Sequence, residues 1–400
     1  RQVLGALDDI IQWVSCAFEI VSGSVPATRP AMRKPKLHAA DFTPPFCPNP
    51  NCHYHNRLNQ GWPFKKAGFY HRLNQPLRIQ RFTCLHCRRS FSSQTFSTTY
   101  WQKLPGLDMV LFTKATGCMS NRQIARDLHV APETINRHLG RLARQCMLFH
   151  IKMMQDAKPA QHIAIDGFVS FELSQYFPFH HHLAVEKGTD FLLYFTDSEV
   201  RRSGTMKKEQ KERRRQLEAT FGKPDPQAVR KDVREMLEVV IGGQSEVWID
   251  SDDHRAYPDA IKGLAPRIHH RVTSSKEHRG PANSLWEINL LDLMIRHCSA
   301  NHKRETIAWS KRRQCSAERL AIFLVWRNYM QGRRVKSRGS PTPAMARGMC
   351  DRKLTPEDIL QERIFVTQLQ LPKRWQQYYD RLVSTRALGR QRKHELKYAA

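Results

Sequence analysis

The sequence is short of acids and of long apolar runs, and each shortage narrows what the chain can be. Its 400 residues carry 37 Asp and Glu against 65 Lys and Arg, a net charge of +28 with histidine neutral. Such a surplus attracts polyanions, so nucleic acid or an anionic surface is the favoured partner class. The longest apolar stretch near the start, Ile10 to Val21, is broken by Gln12 and Glu19. It falls short of the roughly 20 residues that a membrane span needs. It also follows Asp8 and Asp9, where a secretory signal would have a basic segment. Neither a membrane partner nor export is expected. Cysteine is sparse too: there are ten, and only four form close pairs. That favours a reducing compartment with a metal site over a disulfide framework. Disorder is excluded by a content of 40% hydrophobic and 9% aromatic residues, and the length suits two to three domains.

The chain opens at Arg1, and Met32 begins the segment Met-Arg-Lys-Pro-Lys. Met32 reads as a native start, with residues 1–31 an extension. The positive charge is uneven: +13 over residues 1–157, +5 over 158–331 and +10 over 332–400. Within the middle block, residues 200–216 alone hold +6, which leaves −1 for the remainder. The near-neutral middle therefore does something other than grip phosphates, and the basic run reads as a solvated helix or an insertion that binds polyanions.

Two cysteine pairs, Cys47-x4-Cys52 and Cys84-x2-Cys87, flank a stretch rich in turn residues and aromatics. Two turns that each present a pair of thiolates supply the tetrahedral soft-ligand set of a structural zinc. The first pair is wider than the usual ribbon spacing, so His53 or His55 could replace a cysteine. Downstream, Ser120 caps one short helix with Ile124, Ala125 and Leu128 inward. Pro132 starts a second, with Ile135 and Leu139 inward. This is helix-turn-helix spacing, and Glu133, Thr134, Asn136, Arg137 and Arg141 fall on its outer face. Thr134, Asn136, Arg137 and Arg141 are the candidate DNA contacts in a major groove.

From Gln161 the pattern turns to strands: His162 to Glu172, His182 to Glu186 and Phe191 to Thr196. A helix over Pro226–Ile241 and a strand over Glu246–Asp252 follow. Three strands, a helix, a further strand and more helices is the order of an RNase-H-like fold. It puts Asp166 mid-strand and Asp252 at the end of the adjacent strand, an oxygen site suited to magnesium. Asp250 shares a strand face with Asp252 and is its rival. The helix from Asn283 to His297 reads as apolar almost all round, hence buried, with Asn289, Asp292 and Arg296 on one polar stripe. A buried acid needs a metal or a partner, so Asp292 is the better third carboxylate; a salt bridge to Arg296 would also account for it. The rival Glu287 completes a Ser284-x-x-Glu287 capping box, which is reason enough for its presence. Ser340 to Gly348 reads as a turn-rich linker, and the basic end as a DNA-contacting or solubilising tail.

In this order the motifs resemble bacterial insertion-sequence transposases of the DDE/DDD type, over roughly Cys47 to Tyr398. The carriers are Arg81 to Phe91, Ile165-Asp166-Gly167-Phe168, Ser251 to Pro258, and Asn301 to Lys311 followed by Glu318 to Met330. The resemblance implies an α+β multidomain chain. It would have an N-terminal extension (1–46), a zinc ribbon (47–100), a helix-turn-helix domain (101–157), an RNase-H-like mixed α/β catalytic domain (158–331) with a basic insertion (200–216), and a basic tail (332–400). It implies Asp166 and Asp252 as the first two acids, since Tyr257 follows Asp252 as the family pattern requires. The family's glutamate position falls on Asn289, so Asp292 or Glu287 substitutes, or the site is impaired. The activity implied is cleavage and joining of DNA phosphodiester bonds with Mg2+ or Mn2+ at Asp166, Asp252 and Asp292. Structural Zn2+ would sit at Cys47, Cys52, Cys84 and Cys87. The implied partners are double-stranded DNA, as terminal repeats and target, and further copies of the chain, in the bacterial cytoplasm at the nucleoid. A DNA-binding regulator without catalysis, or a nuclease that cuts without joining, are the rival readings.

Overall fold

The computed structural model describes residues 42–57, 61–303, 306–334 and 336–389. The Met32 boundary and the last residues of the basic end lie outside them. The described residues all belong to one compact unit. Its first region is an antiparallel sheet of β1 (Phe64–His71), β2 (Arg78–Cys84) and β3 (Ser90–Ser92). β1 and β2 slip register between Lys66 and Phe69, where Gly68 adopts a positive φ that a side chain would resist. Phe46 packs edge-on against Phe96 and Phe365, at 5.3 and 5.0 Å between ring centroids, which joins this region to the C-terminal segment.

Three helices follow: α1 (Leu107–Thr116), α2 (Asn121–Asp127) and α3 (Pro132–Met154). Ser120 closes α2 with a reciprocal cap, donating its N–H to Gln123 Oε1 at 2.8 Å and accepting from the Gln123 N–H. Ile124, Ala125, Ile135 and Leu139 are buried as the sequence predicts, and Leu128 partly so. The second helix, however, is not short. Apolar residues recur at helical spacing through Leu142, Cys146 and Met147, so α3 runs on for 23 residues into the shared core.

The central sheet has the order β6-β5-β4-β7-β8. β4 (His162–Phe171), β5 (Pro178–Glu186) and β6 (Phe191–Glu199) are antiparallel neighbours, while β7 (Glu246–Asp252) and β8 (Arg267–Thr273) run parallel to β4. The strands are largely buried and read as apolar runs, most continuously Phe191 to Phe195 of the edge strand β6. The solvated α4 (Lys208–Phe221) and the amphipathic α5 (Ala228–Ile241) precede β7; α6 (Ala256–Ile261) follows it, and α7 (Trp286–Cys298) follows β8. This mixed α+β topology is compatible with an RNase-H-like fold. α8 (Arg313–Val325) ends in a π-helical turn, Trp326–Met330, from which Asn328 bonds both the N–H and the carbonyl of Leu192.

Three expectations fail here. α7 buries only one face, Ile288, Leu291, Ile295 and Cys298, and Leu293 is 52% exposed. Ser284 forms no capping box, because α7 starts later, with Leu285 as its N-cap, and the Ser284 hydroxyl bonds Thr273 instead. Residues 332–389 are no solvated tail. Beyond α9 (Pro343–Ala346) and α10 (Pro356–Leu360), α11 (Lys373–Tyr379) buries Trp375, Tyr378 and Tyr379. The Trp375 indole donates to the Phe195 carbonyl at 3.1 Å, and Arg374 pairs with Asp232 and Glu235.

Candidate functional site

β4 and β7 lie side by side and parallel, with Ala164 opposite Asp250 and Ile165 opposite Ser251. One residue further, past the last paired position, the chain presents Asp166 and Asp252. Gly167 follows Asp166 for a steric reason: a Cβ there would lie 2.9 Å from the His181 carbonyl oxygen of β5. Its N–H donates to Asp166 Oδ1 at 2.7 Å, and the His254 N–H donates to Asp252 Oδ1 at 3.0 Å. Burial pushes the Asp166 carboxyl up to about 7, and the charges of Asp252 and Asp292 push the same way, against the Gly167 N–H and the Arg279 guanidinium. Asp252 and Asp292 thus both stand near enough to Asp166 to act on its charge. Asp292 gives Oδ2 to Arg296 at 3.1 Å, the i,i+4 pair that the sequence allows, while its Oδ1 is buried with no hydrogen-bond partner. An unpaired buried carboxylate oxygen beside two further acids is a donor set that suits a hard divalent cation. Tyr257 is buried behind Asp166 and Asp252, and burial together with their charges keeps its phenol protonated.

The rivals lie elsewhere. Asp250 shares the face of Asp252 but sits deeper, where Lys187, Arg271 and His162 bond it at 2.6, 2.5 and 3.1 Å. Burial would raise its pKa, yet the bonds from Arg271 and Lys187 hold it below the usual carboxylate range. Glu287 acts on Arg271, on the Asp250 side. Sequence reasoning missed two residues at the acids. His254, inside the run from Asp252 to Tyr257, orients Asp252 through its backbone; Arg279 stands in a loop whose spacing carries no signal.

Cys47, Cys52, Cys84 and Cys87 are, among the described residues, the group whose ligand atoms all lie within 4.8 Å of one another. The carboxylates are spread more widely. The Sγ separations Cys47–Cys87 and Cys52–Cys84 are 3.7 and 3.9 Å. Four sulfurs about 2.3 Å from a tetrahedral zinc would stand close to that far apart, so the set fits the metal. Burial opposes ionisation of Cys87, but the backbone at Arg89 and the Asn49 side chain outweigh it and bring its thiol down to about 7. His55 is no ligand: one ring nitrogen bonds the Cys47 carbonyl at 2.8 Å and the other Thr367 at 2.7 Å. His53 lies edge-on to Tyr54 and tilted against His86, at 5.1 and 6.0 Å between ring centroids.

The four candidate DNA contacts divide. Arg137 is exposed and pairs only loosely with Glu133, at 3.4 Å. Thr134 is half-buried, and Asn136 is held by Asn121 at 2.5 Å. Arg141 points inward and donates to the carbonyls of Thr98 and Tyr100, at 3.3 and 2.5 Å, so it is a structural bond and no DNA contact.

No family model and no curated protein matches the chain. Among solved structures it is similar to a piggyBac transposase in a synaptic complex with hairpin DNA, at 9% identity and TM-score 0.32, over 70% of each chain. A second likeness is to a chain of the simian T-cell lymphotropic virus intasome in complex with PP2A regulatory subunit B56 gamma. There the identity is 14% and the TM-score 0.22, over 58% of this chain and 70% of that one. Likenesses this remote carry no argument about function. No helix among the described residues is long and apolar enough to cross a membrane.

Proposed function

We propose that the chain is a transposase of the DDE/DDD type that cuts DNA phosphodiester bonds and joins the freed ends to a target. Asp166, Asp252 and Asp292 would hold Mg2+ or Mn2+, and a four-cysteine zinc site would stiffen the N-terminal region. What supports this is that Asp166 and Asp252 stand just past the last paired position of two parallel strands, that Asp252 and Asp292 both act on the Asp166 charge, and that Asp292 keeps a buried, unpaired oxygen. When bound, divalent cations there would acidify a water or a DNA 3′-hydroxyl and neutralise charge on the leaving oxygen. The chain's own part is positional. The Gly167 and His254 N–H groups and the Arg296 guanidinium each occupy one oxygen of an acid and aim the other at the site. The excess of Lys and Arg supports a polyanionic substrate, and several copies would assemble on it at the nucleoid of a bacterial cytoplasm.

The test is a labelled duplex that carries the inverted repeats flanking the coding gene, incubated with target DNA and magnesium. Cleavage and joining are expected, with both lost in Asp166→Ala and Asp252→Ala and reduced at least 100-fold in Asp292→Asn. Cutting without joining would make it a nuclease; binding with no cutting, untouched by these variants, would make it a regulator.

A further inference from the structure

An open cleft of about 1170 Å3 lies between α2, the first turn of α3 and residues 300–303 and 306–312, and neither the three carboxylates nor the four clustered cysteines line it. Its wall on α2 carries Arg122 and Arg126, and the opposite wall carries Lys303 and Lys311; Glu133 is its one acid among the described lining residues, and it already faces Arg137. Arg122, Arg126 and Lys303 are exposed, and no carboxylate among the described residues pairs with them. Burial and the Arg122 charge opposite push the Lys311 ammonium below its usual value. Like charges that face one another and pair with no acid among the described residues are stabilised by an anion between them.

The same walls are apolar in one place. Ile307 is 92% exposed, and beside it the Trp309 ring, braced on Phe171 at 5.7 Å between centroids, carries the Lys311 ammonium 3.4 Å above its face. Cations that track a backbone beside a stacking surface are how proteins hold single strands. Duplex recognition by α3 fits poorly. Its first residues, Pro132, Glu133 and Asn136, line the cleft and look across it at residues 306–312. A major-groove reader has to protrude into a groove about 12 Å wide. The cleft also adjoins the acids: Arg296, which holds Asp292, donates to the His302 carbonyl at 3.3 Å, one residue before Lys303.

We propose that this cleft binds single-stranded DNA, with phosphates on Arg122, Arg126 and Lys303 and bases against Ile307 and Trp309. The inference stands apart from the catalytic reading, because binding is read in EDTA. The test is fluorescence anisotropy of the full chain with a labelled oligothymidylate of about 20 nucleotides, and with a duplex of equal length, across a salt series. The double variant Arg122→Glu/Lys303→Glu should bind the single strand at least tenfold more weakly. It should also lower the dependence of log affinity on log salt by about 1.4, at about 0.7 for each phosphate that is no longer neutralised, and leave duplex affinity within twofold. Ile307→Ser should cost about fivefold with the salt dependence unchanged. Asp166→Asn should bind as the wild type does, which separates this inference from the fate of the catalytic one. These side chains are exposed, so an unchanged melting temperature is expected of each variant; Arg126→Glu alone serves if the double variant fails to fold. Single-strand binding that none of them alters, or an equal loss on the duplex, overturns the proposal.

Discussion

Asp166 links the candidate chemistry to stability. Burial and the charges of Asp252 and Asp292 raise its pKa to about 7 in the folded chain, against a reference value of 3.8. Between those values the folded state binds more protons than the unfolded one, so stability falls as pH rises from about 4 to 7, and the whole penalty is present above that. At about 1.4 kcal/mol per pKa unit the ceiling is about 4 kcal/mol, and water reaching a group that is only half-buried brings it down to about 2–3 kcal/mol. Asp166→Asn should therefore stabilise the metal-free protein by about that much at pH 8 and by nothing near pH 4, as urea titrations would read. Added Mg2+ should raise the melting temperature of the wild type at pH 8 and not that of the variant. An Asp166→Asn protein whose advantage over the wild type is no greater at pH 8 than at pH 4 would show that neither burial nor the neighbouring charges raise the Asp166 carboxyl. Gly167→Ala should cost about 1–3 kcal/mol by parting β4 from β5, and should abolish cleavage by moving Asp166. Asp166 and Asp252 were legible because a strand pattern and a tyrosine spacing mark them. The demotion of Asp250 was not, since Lys187 and Arg271 reach it from the end of β5 and from β8, far along the chain. Arg141 misled for the same reason, its carbonyl partners lying some 40 residues away.

Among the elements, α11 was the least legible. Its sequence Lys-Arg-Trp-Gln-Gln-Tyr-Tyr is polar and basic, and only the sheet explains it. Trp375 stacks on Tyr194 at 4.9 Å, and Tyr378 stacks on Phe195 at 5.7 Å. Arg374 and Arg313 meet the buried Asp197, whose carboxyl burial would push up but which these two cations hold below its usual range. Trp375→Ala should cost about 3–5 kcal/mol in chemical denaturation, the usual loss for a large buried ring. An effect below about 1 kcal/mol would mean that the helix is not docked in solution. α2 and the start of α3 were legible because a cap and a proline mark their ends locally. The length of α3 was not marked, because its stop depends on the core it enters. In the thiolate region, chelation should release one zinc per chain and loosen the Phe46–Phe96–Phe365 packing, while Cys84→Ser should lose the zinc without chelator. Retention of a full zinc equivalent by Cys84→Ser would exclude the four-thiolate site.

For the molecule as a whole, net charge counted along the sequence overstates what faces outward. Arg313 from the middle block and Arg374 and Arg386 from the C-terminal one are taken up by Asp197, Glu199, Asp232 and Glu235, so part of the positive charge holds α8 and the C-terminal segment to the sheet and is not free for a partner. The inserted basic run is the opposite case: α4 buries no residue, and Lys208, Lys211 and Arg213 are exposed. Beside it a groove of about 990 Å3 runs from Arg201 and Lys223 to His254 and Arg255, the turn that orients Asp252. On the proposed function, duplex leaving the carboxylates by that route would run beside α4, whose Arg214 lines the groove. Each phosphate neutralised on duplex DNA contributes about 0.9 to the slope of log affinity against log salt. Replacing Lys208, Lys211 and Arg213 by Gln should then lower the duplex slope by nearly 3 and leave single-strand binding, which belongs to the cleft on the other side of Phe171 and Trp309, unchanged. A duplex slope that stays the same would make α4 a solvated face and nothing more. The charge that binds DNA would then have to be sought on α2 and the segment after α7, where Glu133 is the one acid among the described lining residues.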